Sequence, residues 1–174
     1  MKPHVLTFFL IIFFNTYCFA QSDPEFPRGF IMYLKLHNGM VTNFTSSSDL
    51  YIGGVQLIPQ FTVVEHLLRV GAIADGFYTD KKLQAAAGPT ISVKIKTFNA
   101  GFFGSIANIN FQINDLWATN HHRLLGGGIV ADVGNLITFG ITAHRDYNLN
   151  AWWFQNELGI RISQKKKVAE PFNQ

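Results

Sequence analysis

The run Ala151-Trp152-Trp153-Phe154-Gln155-Asn156-Glu157-Leu158-Gly159-Ile160-Arg161-Ile162-Ser163 decides how the rest of the chain is read. Trp152, Phe154, Leu158, Ile160 and Ile162 share one parity, interrupted only by Asn156. Trp153, Gln155, Glu157, Gly159, Arg161 and Ser163 share the other. Successive strand side chains point to opposite faces, so this segment is apolar on one side and ionic on the other.

Seven earlier runs repeat the pattern. Gly29 to Gly39 turns Phe30, Met32, Leu34 and Leu36 outward, with Tyr33, Lys35 and His37 inward. Asp49 to Val63 puts Tyr51, Val55, Leu57 and Phe61 out, and Gln56, Gln60 and Thr62 in. His66 to Phe77 places Leu68, Val70, Ala72 and Ala74 out, with Arg69 and Asp75 in; Val64, Leu67, Leu68 and Gly71 also fit a short helix. Gln84 to Phe98 sends Pro89, Ile91, Val93 and Ile95 out and Thr90, Ser92, Lys94 and Lys96 in. Phe103 to Asn114 sends Ala107, Ile109, Phe111 and Ile113 out and Asn108, Asn110, Gln112 and Asn114 in. Leu124 to Val133 has Leu125, Ile129, Ala131 and Val133 out and Asp132 in. Leu136 to Tyr147 has Ile137, Phe139, Ile141 and Ala143 out and Thr138, Thr142, His144 and Asp146 in. Segments of about ten alternating residues are the signature of a membrane β-barrel. The expected fold is therefore all-β, an eight-stranded antiparallel up-and-down transmembrane β-barrel over residues 29–163.

Three features agree with this. Lys35, Arg69, Asp75, Lys94, Lys96, Asp132, Asp146, Glu157 and Arg161 all take the inward parity, as an interior ion network requires. Arg145 is the outward exception, at a strand end from which it can snorkel to headgroups. Connections near residues 40–48, 76–83, 115–123 and 147–151 read as long or polar loops, against the short Asn99-Ala100-Gly101 and Val133-Gly134-Asn135. Aromatics sort into two belts, Tyr51, Tyr78, Trp117, Tyr147 and Trp152 at the loop ends and Phe30, Phe61, Phe102 and Phe103 at the turn ends. Against it stand Leu50, Ile52 and Ile58 on the polar parity of the second strand, and Leu67 and Ile73 on that of the third. A soluble periplasmic lipid-binding β-barrel, apolar inside and polar outside, is the competing architecture.

Residues 1–20 read as a cleaved export signal. Lys2 and His4 precede an apolar run from Val5 to Phe14, and Cys18-Phe19-Ala20 offers the small residues of a cleavage site. Residues 21–28 then form a periplasmic lead and residues 164–174 a polar periplasmic tail. A lipid-carrying Cys18 is the other reading, but Tyr17 is bulky where that site wants a small residue. Loss of Cys18 leaves no thiol for disulfides, metal ligation or nucleophilic attack. The net charge of +3 and the single cluster Lys165-Lys166-Lys167 give no basis for binding nucleic acid.

At this level of pattern, with the closing Glu157-Leu158-Gly159-Ile160-Arg161-Ile162, the chain resembles the small eight-stranded outer-membrane barrel proteins of the Bacteroidetes type. The family's terminal aromatic is replaced by the polar tail. The resemblance implies an outer-membrane location, contact with the lipid bilayer and lipopolysaccharide, insertion by the barrel-assembly machinery, and extracellular loops that meet a ligand. It implies no cofactor.

One constellation has the residue types of an active site. His144-Arg145-Asp146 with Glu157 resembles the His-x-Ser element and following Glu of eight-stranded lipid A deacylases. Asp146 stands in place of the serine, however, and a hydrolase of that type needs a nucleophile. A lipid-modifying hydrolase is thus the alternative to a non-enzymatic barrel, and an interior ion pair is the plainer account of His144, Asp146 and Glu157. His121-His122 supplies two imidazoles without a carboxylate pattern, a weak metal site. Gly126-Gly127-Gly128 lacks the Lys-Ser/Thr of a phosphate loop and reads as close packing in a barrel wall. Asn43-Phe44-Thr45 matches a glycosylation acceptor, which a bacterial outer-membrane location makes irrelevant. Eight strands leave an interior only wide enough for side chains.

Overall fold

The computed structural model of the protein describes residues 29–44, 50–99, 106–134 and 136–162. Eight strands follow in order: β1 (Gly29–Thr42), β2 (Leu50–Val64), β3 (Leu68–Thr79), β4 (Lys82–Asn99), β5 (Ile106–Ala118), β6 (Arg123–Val133), β7 (Ile137–Asp146) and β8 (Ala151–Arg161). Each pairs antiparallel with the next, and β8 returns to β1, with Lys35 opposite Gly159 and His37 opposite Glu157. The barrel is closed, so no strand edge is left unpaired. A single 3-10 turn, Thr119–His121, is the one departure from strand and loop among the described residues. The segment that also fitted a helix is a hairpin: Glu65–Leu67 forms its turn, and Val64 pairs with Leu68.

Parity holds along most of the wall. Lys35, His37, Gln56, Gln60, Arg69, Asp75, Asn108, Asn110, Gln112 and Asn114 are buried inside, while Leu34, Leu36, Val55, Leu57, Phe111 and Ile113 are exposed outside. Ile52, Ile58 and Ile73, the apolar residues on the polar parity of β2 and β3, are fully buried in the lumen. An inward face needs only to be packed, and these isoleucines fill space between polar groups. Leu50 and Leu67 lie at a strand end and a turn, and both are exposed.

Lys96 is the correction within the wall. A register shift between Lys94 and Lys96 sets Lys94 opposite Asn110 but Lys96 opposite Ile109. One extra residue exchanges the two faces beyond it. Thr97 consequently points inward and donates to Asn108 at 2.9 Å, while Lys96 is exposed outside with its ammonium 4.8 Å from the Phe98 ring centre. Lys96 does not belong to the interior ion network.

The connections also differ from expectation. Thr79 pairs with Lys82, so the expected loop at 76–83 is a two-residue turn of Asp80 and Lys81, both at positive φ (46° and 58°). That is the backbone of a tight hairpin whose twist suits the flanking strands. The strands likewise consume most of 115–123, leaving Thr119–His122. At the other end Asn99 pairs with Ile106, so the connection there occupies residues 100–105, longer than Asn99-Ala100-Gly101. Loop length therefore does not alternate between the two ends. Residues 1–28, 45–49, 100–105, 135 and 163–174 lie outside the described residues, and with them the export signal, the lead, the tail, Phe102 and Phe103.

The glycine triplet of β6 belongs to the wall. A Cβ on Gly126, Gly127 or Gly128 would stand 2.0, 2.1 or 1.9 Å from a carbonyl oxygen of a neighbouring strand. Only glycine fits where β5 and β7 approach β6 this closely.

Candidate functional site

The interior is the chemically richest part of the molecule, and β1 organises it. Alternation places Tyr33, Lys35 and His37 in successive layers of the lumen, each meeting an acid from a different strand. Tyr33 donates its hydroxyl to Asp132 Oδ2 at 3.1 Å and accepts from Arg69 Nη1 at 2.8 Å. Arg69 lies 3.4 Å from the same carboxylate oxygen, and Asn110 donates to it at 2.9 Å. Lys35 Nζ stands 2.7 Å from Glu157 Oε2, and Thr142 donates to Oε1 at 3.0 Å. His37 Nε2 lies 2.9 Å from Asp75 Oδ1, and Gln56 donates to Oδ2 at 3.1 Å. Burying ions is tolerated only with partners of this kind.

Parity gives each of these side chains its face, and the strand register decides its partner. Arg161 stands opposite Tyr33, four residues along β8 from Glu157, and Lys94 is half-buried at the turn end. Two of the four interior acids face a histidine: His37 Nε2 stands beside Asp75, and His122 Nδ1 lies 3.2 Å from Asp146. Parity placed His37 inside, but nothing in the sequence matched it with Asp75, which lies across β2 on β3.

The residues of the hydrolase-like constellation keep separate company. His144 Nε2 is 3.1 Å from the Asn114 side-chain nitrogen, and Asn114 Oδ1 accepts from Thr90 and Gln112. Glu157 engages Lys35 and Thr142. Asp146, fully buried at the loop end, accepts from the backbone N–H groups of Asn148 and Leu149 and so shapes the turn into β8. Among the described residues no hydrogen bond joins the three into a relay. His121 adopts positive φ and His122 faces Asp146. Among the described residues no three His, Cys, Asp or Glu side chains cluster as metal ligands.

Towards the loop end the lumen changes character. Val41, Ile52, Phe77, Ala86, Leu116, Leu124 and Trp153 are buried there, and the Phe77 and Trp153 rings meet edge to face at 5.4 Å. Below this apolar layer, the cavity lined by Tyr33, Lys35, Arg69, Asn110 and Asp132 has a volume of about 10 Å³. That is room for about one water molecule.

The outer rim at the same end carries Tyr51, Tyr78, Trp117 and Tyr147, all exposed, with Trp152 half-exposed and stacked on Phe154. The Arg145 guanidinium lies 5.4 Å from the Trp152 ring and donates to Asn150, and Arg123 lies 5.9 Å from Trp117 while holding Asp115 through two hydrogen bonds. At the turn end Phe30 and Phe61 pair across β1 and β2, 5.0 Å apart. No protein-family model matches the chain, and no curated protein matches it.

Proposed function

We propose that the protein is a non-enzymatic outer-membrane β-barrel, exported by residues 1–20, whose exterior meets lipid and whose loop end serves a structural or surface-binding role. The observation that carries this reading is the inversion of the wall. Charged and amide side chains are buried inside, while large apolar side chains stand exposed on every strand, among them Leu36 (60 %), Ile129 (55 %), Ile141 (68 %) and Leu158 (51 %). Contiguous apolar surface on this scale marks a surface that water does not cover. A lipid-carrying soluble barrel would have the opposite arrangement, and the polar cavity in the middle of the lumen, with space for about one water, has no place for a lipid.

The aromatic rims fit the two interfaces of a bilayer, and Arg145, Arg123 and Lys96 stand where their charges reach headgroups. On this reading the bilayer with its lipopolysaccharide, the insertion machinery and an extracellular ligand are the partners, and no cofactor is used. The filled lumen offers no path for a large solute.

Membrane fractionation followed by electrophoresis with and without boiling tests the proposal. The protein should remain in the outer-membrane fraction and migrate differently when unheated. Release into the soluble fraction without detergent would overturn it.

A further inference from the structure

One place on the exterior departs from its apolar surroundings. Asn38 of β1 and Asn156 of β8 are direct neighbours in the strand register, both exposed, both on the outward face. Leu36 and Met40 flank Asn38 along its strand, and Phe154 and Leu158 flank Asn156, all exposed. Neither amide has a hydrogen-bond partner among the described residues. Asn156 lies between Trp152 at the loop-end rim and Ile160 towards the turn end, well inside the apolar band.

If the band is immersed in lipid, as the proposed function requires, two carboxamides face a medium that offers no donors or acceptors. Unsatisfied polar groups are costly there, and polar side chains on membrane-embedded faces serve to join one element to another. We propose that the Asn38–Asn156 face of β1 and β8 is where a second copy of this chain docks, an inference that rests on the membrane reading. A carboxamide is its own complement, since its oxygen accepts what its nitrogen donates. Two copies related by a two-fold axis along the membrane normal bring Asn38 of one opposite Asn156 of the other, twice over. Symmetric pairs close by this kind of self-complementary contact.

Cross-linking and fluorescence energy transfer on the full chain in lipid vesicles test this. Leu158→Cys should give an oxidised dimer, whereas Ile113→Cys, on β5 across the barrel, should not. Energy transfer between labelled copies should reveal association that weakens about ten-fold or more when Asn38→Leu and Asn156→Leu are combined, as expected from losing interhelix-type polar contacts in lipid. A parent that stays monomeric at all protein-to-lipid ratios would overturn the proposal. So would equal cross-linking at both cysteine positions, or association unchanged in the double variant. Boiling-dependent migration of every variant is scored alongside. If all keep it while association is absent, the docking proposal fails and the membrane reading stands; if the parent itself lacks it, the membrane reading fails.

Discussion

The middle of the lumen and its loop end are both buried and both built from inward-pointing side chains, yet they hold together by different means. In the middle, Tyr33, Lys35, His37, Arg69, Asp75, Asp132 and Glu157 form a hydrogen-bonded network of charged and polar groups across four strands. At the loop end, Val41, Ile52, Phe77, Leu116, Leu124 and Trp153 pack without ionic partners. Inward parity therefore specifies burial and not polarity. A charge in the lumen must find its partner at a fixed place, whereas an apolar side chain needs only volume to fill.

The sharpest test of this contrast is Glu157→Ala, which leaves Lys35 buried without its partner. It should cost about 3–5 kcal/mol in a urea titration of unfolding in lipid vesicles. Combining it with Lys35→Met should recover part of the loss, because the stranded charge goes too. A Glu157→Ala variant as stable as its parent would remove the ionic half of the comparison.

Leu116→Ala probes the other half and should cost about 2–5 kcal/mol by leaving a cavity in the apolar layer. No second truncation nearby should rescue it. Rescue by Leu124→Ala would mean that the layer behaves as a network after all.

The outer face comes next in size. Phe139→Arg should cost about 2–4 kcal/mol if its side chain lies near the bilayer midplane, while the inward neighbour Thr138→Ser should change little. Equal costs for the two would undo the distinction between the faces. Smallest of all is Lys96→Gln, because the bulge puts this cation outside. A change within about 0.5 kcal/mol is expected, as for other surface substitutions. A loss comparable to that of Glu157→Ala would return Lys96 to the interior.

Much of this could be read from the chain. Each strand carries its alternation locally, so the faces of Lys35, Asp75, Asp132, Thr138, Glu157 and Phe139 follow from backbone geometry alone. The rims follow similarly, since Tyr51, Trp117 and Trp152 sit where the alternating runs end. What escaped reading falls into two kinds. The bulge before Lys96 is a single-residue event with no mark in composition, and it reverses every face beyond it. The hairpin at Asp80 and Lys81 was hidden because Thr79, Asp80, Lys81 and Lys82 form a polar run with no alternation, and only the pairing of Thr79 with Lys82 carries both strands up to the turn.

Sequence by itself settled that there are eight strands and, for most residues, which way each side chain points, because alternation is a property of a few consecutive peptide units. The tertiary structure alone decided who meets whom inside: Lys35 with Glu157, His37 with Asp75, Arg69 with Asp132. Those partners lie on different strands, and their meeting depends on the register of every hairpin between them and on the closure of β8 onto β1. Register is a sum over the whole barrel wall, and no local pattern carries it.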